Sequence, residues 1–176
     1  MLGIAVAPFV LAWLAYLFWE PAGHMNHGDL IEPRQLSDAP LPSLAGEPFR
    51  LETLRGKWIL VHADSGACAE PCRRQLYYMR QVRLAQGANR DRIARVWLLT
   101  DDTPPAADLA PLYEGVEVVR AKGSKLVAEL PAPRDPADHV YLIDPLGNLM
   151  LRFPRDPDPK RMVKDLQRLL KVSRIG

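Results

Sequence analysis

Short apolar runs alternate with polar and proline-rich stretches along most of this chain. Five of these runs have the length and the β-branched or aromatic content of strands, and they occupy residues 58–62, 94–100, 116–119, 139–143 and 148–153. Four further segments have helical character, and they occupy residues 72–86, 106–113, 124–130 and 160–171. The alternation of the two types predicts an α/β domain built on a mixed sheet.

The turn between the first predicted strand and the first predicted helix contains both cysteines of the chain, Cys68 and Cys72. The last two strands are joined by Asp144-Pro145-Leu146-Gly147, a turn sequence that predicts an antiparallel hairpin. A final hairpin and a cysteine pair at the first strand-to-helix turn together predict a thioredoxin-like fold, with helices flanking the sheet. We expect this domain at residues 49–176 and a Pro-rich linker at 21–48.

The amino-terminal residues form a separate apolar segment. Residues 2–19 carry no charge, and about 20 apolar residues are enough for a helix to cross a ~30 Å hydrocarbon core. Tyr16 and Trp19 stand where an interfacial aromatic belt is expected. A cleaved signal peptide is the alternative, but the small-residue cleavage pattern is absent. The sequence therefore predicts one transmembrane helix over residues 1–20, in a bacterial inner membrane, with the folded domain in the periplasm.

The net charge and the number of cysteines limit which partners and which chemistry are expected. The formal net charge is only +2, and no basic stripe is interleaved with aromatic residues, so nucleic acid is excluded as a partner. Two cysteines cannot build the disulfide framework of a small secreted protein. Because only three residues separate them, the pair indicates redox or metal chemistry.

The position of the cysteines favours reactive thiolates. A thiol at the amino terminus of a helix faces unsatisfied N–H groups and the positive end of the helix dipole, so its ionised form is stabilised. The Cys-x-x-x-Cys spacing is one residue wider than that of thioredoxin-type oxidoreductases. A disulfide between Cys68 and Cys72 stays possible, and the wider turn also gives two sulfurs the freedom to hold one soft ion such as Cu(I). A structural disulfide is the alternative, although closing so short a loop removes little chain entropy.

A third metal ligand has to come from another segment, and His139 is the candidate. In thioredoxin-like folds the loop that enters the strand before the final hairpin lies against the cysteine turn. Oxidoreductases carry a cis-proline there, whereas this chain has Asp138 followed by His139. We expect Asp138 to orient the His139 ring. The alternative to a ligand role is that His139 is simply the first residue of a strand. His62, on the strand before the cysteines, is interpreted as a packed strand-end residue.

Several motifs together resemble a known family. Gly-Lys-Trp-Ile-Leu-Val, the Cys-x-x-x-Cys turn, Asp-His and Tyr-Leu-Ile-Asp-Pro-x-Gly follow one another between residues 40 and 153. This succession resembles the SCO/SenC copper chaperones of cytochrome c oxidase assembly. The resemblance implies copper held by Cys68, Cys72 and a histidine, for which His139 is the match. It also implies a partner, subunit II of cytochrome c oxidase.

The sequence thus predicts a membrane-anchored, copper-binding assembly factor, which delivers copper to subunit II or prepares its copper site. Two alternatives stay open. The cysteine pair of a thiol-disulfide oxidoreductase would act on the cysteines of the oxidase. A metal-free scaffold would bind the oxidase without using either thiol.

Overall fold

The structure, a computed structural model, describes residues 12–14 and 26–173. The transmembrane helix predicted for residues 1–20 therefore lies outside the described residues, apart from 12–14. Among the described residues, no helix is long and apolar enough to cross a bilayer. The predicted domain is described in full except for its last three residues.

A mixed sheet forms the centre of the domain. The strand bounds are β1 Asp29–Gln35, β2 Leu41–Pro42, β3 Pro48–Phe49, β4 Trp58–Asp64, β5 Ile93–Leu99, β6 Glu117–Arg120, β7 Val140–Ile143 and β8 Asn148–Arg152. The strand order in the sheet is β1-β8-β7-β4-β5-β6. Strands β4, β5 and β6 run parallel, and the pairs β4–β7, β7–β8 and β8–β1 are antiparallel. A separate short ladder joins β2 and β3.

Helices flank this sheet, which confirms the predicted mixed α/β architecture. Two of them are long and two are single turns: α1 Glu70–Leu84, α2 Ala110–Tyr113, α3 Lys125–Ala128 and α4 Pro159–Val172. Pro71 lies in the first turn of α1, where a missing N–H costs nothing. The predicted cap of α3 is confirmed, because the Ser124 hydroxyl accepts from the Val127 N–H at 3.3 Å.

Two layers of buried side chains cover the two faces of the sheet. On one face, which we call the α1 face, Leu76 of α1 and Leu166 of α4 pack against Trp97 of β5. On the opposite face, the α3 face, Leu126 of α3 packs with Val61 and neighbouring residues of the sheet. Both cysteines belong to the α1 layer.

Strand β4 lies between β5 and β7, and both of its faces are buried because the α1 and α3 layers cover them. Its side chains alternate between the two layers, as in any strand. Leu60 lies in the α1 layer and Val61 in the α3 layer. The same alternation places His62 and Asp64 on the α1 face, with the cysteines.

Strand β1 is an element that the hydrophobic pattern did not predict, and it lies within the predicted Pro-rich linker. It pairs with β8 at the edge of the sheet, and its register shifts between Leu30 and Arg34, around Pro33. A bulge at an edge strand is where a proline is tolerated. Most of its side chains are exposed, so its place in the sheet depends on backbone pairing rather than on an apolar face.

Candidate functional site

The cysteine turn connects β4 to α1. Cys68 and Cys72 form a disulfide with their Cα atoms 5.1 Å apart. Both residues are buried, with at most 1% of their surface exposed. Cys68 has a left-handed backbone (φ 43°), which is uncommon for a residue other than glycine. The oxidised pair is therefore held in a tight turn beneath the surface.

A second loop holds the cysteine turn from the carboxyl end of β5. The Ser65 hydroxyl donates to Asp101 at 2.6 Å, and the Gly66 N–H donates to the same carboxylate at 3.1 Å. These hydrogen bonds hold the pKa of Asp101 below its usual value, and the bond from Ser65 has the largest effect. A Cβ atom on Gly66 would lie 1.7 Å from the Thr103 carbonyl oxygen. Only glycine therefore permits this close approach of the two loops.

Arg73 fastens the other side of the cysteine turn. Its Nε donates to the Cys68 carbonyl at 3.1 Å, and its Nη1 donates to the Asp108 carboxylate at 2.7 Å. The hydrogen bond from Arg73 also lowers the pKa of Asp108 below its usual value. The turn is thus connected to the segment 107–109 through a guanidinium, which stays charged at any physiological pH.

His62, Asp64 and Cys72 form the group of possible metal ligands that the described residues bring together. One ligand atom from each lies within 4.8 Å of the others. His62 Nε2 is 3.7 Å from Asp64 Oδ2, which is beyond hydrogen-bond distance. His62 Nδ1 donates to the backbone carbonyl of His139 at 3.0 Å. Nε2 is buried and has no hydrogen-bond partner among the described residues.

The side chain of His139, the ligand predicted from the sequence, lies away from these three residues. His139 is not part of the group formed by His62, Asp64 and Cys72. Its Nδ1 donates to the Phe153 carbonyl at 2.8 Å, and its ring lies edge-on to Tyr141 with centroids 6.1 Å apart. Tyr141 belongs to the α3 layer, so alternation along this extended segment places His139 on the face opposite the cysteines.

Asp138, predicted to orient the His139 ring, pairs with two arginines. Its carboxylate forms an ion pair with Arg155, whose Nε lies 2.9 Å away, and it accepts a hydrogen bond from Arg134 Nη2 at 3.4 Å. The Nδ1–H group of His139 donates to a backbone carbonyl and not to Asp138. The contacts of Asp138 therefore stabilise the loop before β7.

Sequence reasoning interpreted His62 as a packed strand-end residue, and its side chain is indeed fully buried. It missed the relation of this residue to Asp64 and Cys72. The usable signal was the spacing of two positions between His62 and Asp64 at the end of a buried strand that leads into the cysteines. Two such residues share one face of a strand.

Comparison with known proteins agrees with this architecture. A family model described as "transmembrane-like, thioredoxin-like, C-terminal domain" matches residues 58–173. The chain belongs to this family. The matched thioredoxin-like domain begins with β4, ends after α4, and includes the cysteine pair and both buried histidines. No curated protein matches the chain at a significant level.

Solved structures share the thioredoxin-like fold of this family member. Copper-bound yeast Sco1 aligns with a TM-score of 0.65 at 16% identity, over 81% of this chain and 96% of that protein. Copper-bound ScoI of Bradyrhizobium japonicum aligns at 0.57 and 20% identity, over 77% and 99%. The thioredoxin domain of a thiol-disulfide oxidoreductase from Bacteroides vulgatus aligns at 0.56 and 16% identity, over 80% and 99%. At these identities the likeness shows the fold.

Proposed function

We propose that this chain binds copper through the reduced thiols of Cys68 and Cys72 and hands it on as cargo. The observation that carries the proposal is the Cys-x-x-x-Cys pair at the amino terminus of α1, in a fold shared with Sco proteins whose structures contain copper. Thiolates are the ligands that Cu(I) prefers. A two-electron reduction of the disulfide provides both of them.

The surroundings of the pair suit a soft ion. Both cysteines lie in an apolar layer beside residues such as Leu76 and Val140, so bound copper would be shielded from water. The helix dipole of α1 stabilises negative charge at its first turn. Oxidation to the disulfide removes both thiolates at once, and copper binding would therefore follow the redox state of the pair.

The proposed setting is the periplasmic side of a bacterial inner membrane. The uncharged segment 2–19 has the length of a membrane anchor. A SenC-family lipoprotein from Bacillus anthracis has the same fold, at a TM-score of 0.53, and a lipoprotein is attached to a membrane. The proposed recipient of the copper is subunit II of cytochrome c oxidase, as the SCO/SenC resemblance of the sequence motifs implies.

The test is a Cu(I) titration of the full chain in detergent micelles, after reduction and without oxygen. A chromogenic Cu(I) chelator competes for the metal. We expect one tightly held copper per chain, and its loss in Cys68→Ser, in Cys72→Ser and in the oxidised protein. A His139→Gln variant tests the ligand predicted from the sequence. Absence of stoichiometric binding by the reduced chain, or binding that survives both serine substitutions, would overturn the proposal.

A second candidate is a thiol-disulfide oxidoreductase that reduces the metal-binding cysteines of the oxidase. The observation in its favour is the disulfide between Cys68 and Cys72, together with the fold it shares with an oxidoreductase. The reduced pair would give two electrons and two protons to a substrate disulfide and would itself become the disulfide. Reduction of a peptide disulfide by the copper-free chain, at a rate abolished by Cys68→Ser, would favour this function.

A scaffold without metal chemistry predicts a different result in cells. A chain with both cysteines changed to serine would then support full assembly of the oxidase. The copper proposal and the oxidoreductase proposal both predict an assembly defect in that variant.

A further inference from the structure

The Nε2 atom of His62 lacks a hydrogen-bond partner in the part of the chain that the structure describes, and this bears on metal binding. Its residue is fully buried, and the nitrogen has no hydrogen-bond partner among the described residues. Leaving a buried polar atom unpaired costs about 1–3 kcal/mol, so a bound ion or water at such an atom would be stabilising. A metal ion would pair this nitrogen.

The ring is already oriented for coordination. The carbonyl of His139 can only accept, so Nδ1 of His62 carries a proton, and in the neutral imidazole the lone pair is then on Nε2. Metal-binding histidines commonly have this arrangement, in which the second ring nitrogen donates to a carbonyl or carboxylate. The lone pair therefore faces the cluster of Asp64 and Cys72.

One distance within the cluster matches the separation of two ligands of one ion. His62 Nε2 and Asp64 Oδ2 are 3.7 Å apart. In a tetrahedral site with bonds of about 2.0–2.3 Å, two ligand atoms are roughly 3.3–3.8 Å apart. Cys72 Sγ lies within 4.8 Å of both atoms, and on reduction it would have to move closer to them to share the ion. Reduction of the disulfide would release Cys68 Sγ beside it as a fourth ligand.

We propose that His62 and Asp64, with Cys72 and the reduced Cys68, form a four-ligand site for a divalent borderline metal ion such as Zn(II), Co(II) or Cu(II). The inference rests on the proposed function, since it uses the same two thiols, and it names the ligands that accompany them. The carboxylate decides the class of ion. Soft Cu(I) is satisfied by sulfur and nitrogen, whereas carboxylate oxygen suits divalent ions. Two thiolates and a carboxylate are all anionic, and a divalent ion neutralises more of their charge than a monovalent one.

Asp64 is the member of the proposed site that reaches solvent. The Asp64 side chain is 25% exposed, whereas His62 is fully buried. Asp64 follows directly on from the buried part of β4 and precedes Ser65 of the cysteine turn. A hydrated divalent ion would meet the carboxylate first and lose water as the imidazole and thiolates replace it.

His62 rather than His139 belongs to this site because of strand alternation. His62 and Asp64 extend from the face of β4 that carries the cysteine layer. His139 extends toward Tyr141 in the opposite layer. A ligand role for His139 at the same ion would require the loop before β7 to rotate this residue through the plane of the sheet.

The experiment is an anaerobic Co(II) titration of the reduced full chain in detergent micelles, followed by visible spectroscopy. Tetrahedral thiolate coordination produces intense d–d bands and a sulfur-to-cobalt charge-transfer band. We expect these bands in the wild type. His62→Gln and Asp64→Asn should each weaken Co(II) binding by at least about tenfold. His27→Gln is the matched control, because this histidine lies beside the start of α4, and it should bind Co(II) as the wild type does.

The same variants are titrated with Cu(I), so that the two proposals fail separately. Cu(I) binding by a wild type that shows no tetrahedral Co(II) spectrum overturns the four-ligand site and leaves the proposed function standing. Weakening of Co(II) binding by His139→Gln but not by His62→Gln also overturns it. If neither metal binds, the proposed function fails as well.

Substitution of a fully buried histidine can prevent folding, so a measurement on the wild type accompanies the variants. Nitrogen-15 spectra of the histidine rings are compared before and after Zn(II) is added to the reduced chain. We expect the Nε2 resonance of His62 to shift on coordination while that of His27 does not. A shift confined to His139 would contradict the inference.

Discussion

The ring of His62 donates through Nδ1 to the backbone carbonyl of His139, at 3.0 Å. The two buried histidines of the domain are thus connected, although 77 positions separate them in the chain. The contact uses the main chain of His139, so it survives any substitution of that side chain. It leaves Nε2 of His62 as the free nitrogen on the cysteine face.

Reduction of the disulfide should leave the domain folded. The bridge joins residues four positions apart, and the chain-entropy model gives about 2 kcal/mol for so short a loop. We expect the free energy of unfolding to fall by no more than that amount when a reductant is added. Denaturant unfolding, with and without reductant, measures the change. The double variant Cys68→Ser/Cys72→Ser is the control and should not respond to the reductant. Unfolding on reduction alone would contradict a site that requires free thiols.

Gly66→Ala should destabilise the cysteine turn. The added Cβ would lie 1.7 Å from a backbone carbonyl of the neighbouring loop, and backbone on both sides would have to move. Overpacking of this kind costs about 1–3 kcal/mol, and we expect the upper end of that range. Denaturant unfolding of the oxidised protein measures it. Ala67→Ser, at the adjacent exposed position, should stay within about 0.5 kcal/mol of wild type. Equal stability of the two variants would show that the loops are not in close contact.

Asp101→Asn should change the acid dependence of stability. Hydrogen bonds, that from Ser65 first, lower the pKa of Asp101 in the folded protein. A carboxyl group with a depressed folded pKa stabilises the protein above its unfolded pKa, and this contribution is lost as pH falls through the folded value. The asparagine variant should therefore be less stable than wild type at neutral pH, by about 1 kcal/mol. The difference should shrink below about pH 4. Unfolding curves across this range measure it, and a gap that is constant with pH would contradict the assignment.

Asp165→Asn should weaken the attachment of the segment before β1 to α4. Asp165 is almost fully buried on α4, and its carboxylate accepts from the backbone N–H groups of His27 and Gly28 at 2.8 Å and 3.1 Å. Both donors share one carboxylate oxygen, and an amide that turns its own oxygen to that position accepts more weakly than the charged carboxylate, a loss of about 1 kcal/mol. We expect faster hydrogen exchange along β1. Asp156→Asn is the control, because the Asp156 side chain is 77% exposed and should matter little. Unchanged exchange in β1 would show that Asp165 does not hold this segment.

The sequence alone was sufficient for most of the elements and for the cysteine turn. Strands such as β4 and β5 are short apolar runs, and α1 and α4 repeat apolar residues at helical spacing, so local patterns predict them. Strand β1 was not predicted, because its exposed side chains carry no alternating pattern. Its pairing with β8 is made by backbone groups, which every sequence possesses.

Which of the two buried histidines lies on the face of the cysteines was decided by the tertiary structure. Sequence spacing identified Cys68 and Cys72 as a close pair, which the disulfide between them confirms, because two thiols at the start of one helix are neighbours whatever the rest of the chain does. The sequence also drew attention to His139, through its place before the last hairpin. Which histidine faces the thiols depends on the register of β4 against β7, and a shift of one position moves a side chain to the opposite face of a sheet. The spacing of His62 and Asp64 already puts these two on one face of β4, whereas only the assembled structure placed them beside Cys72.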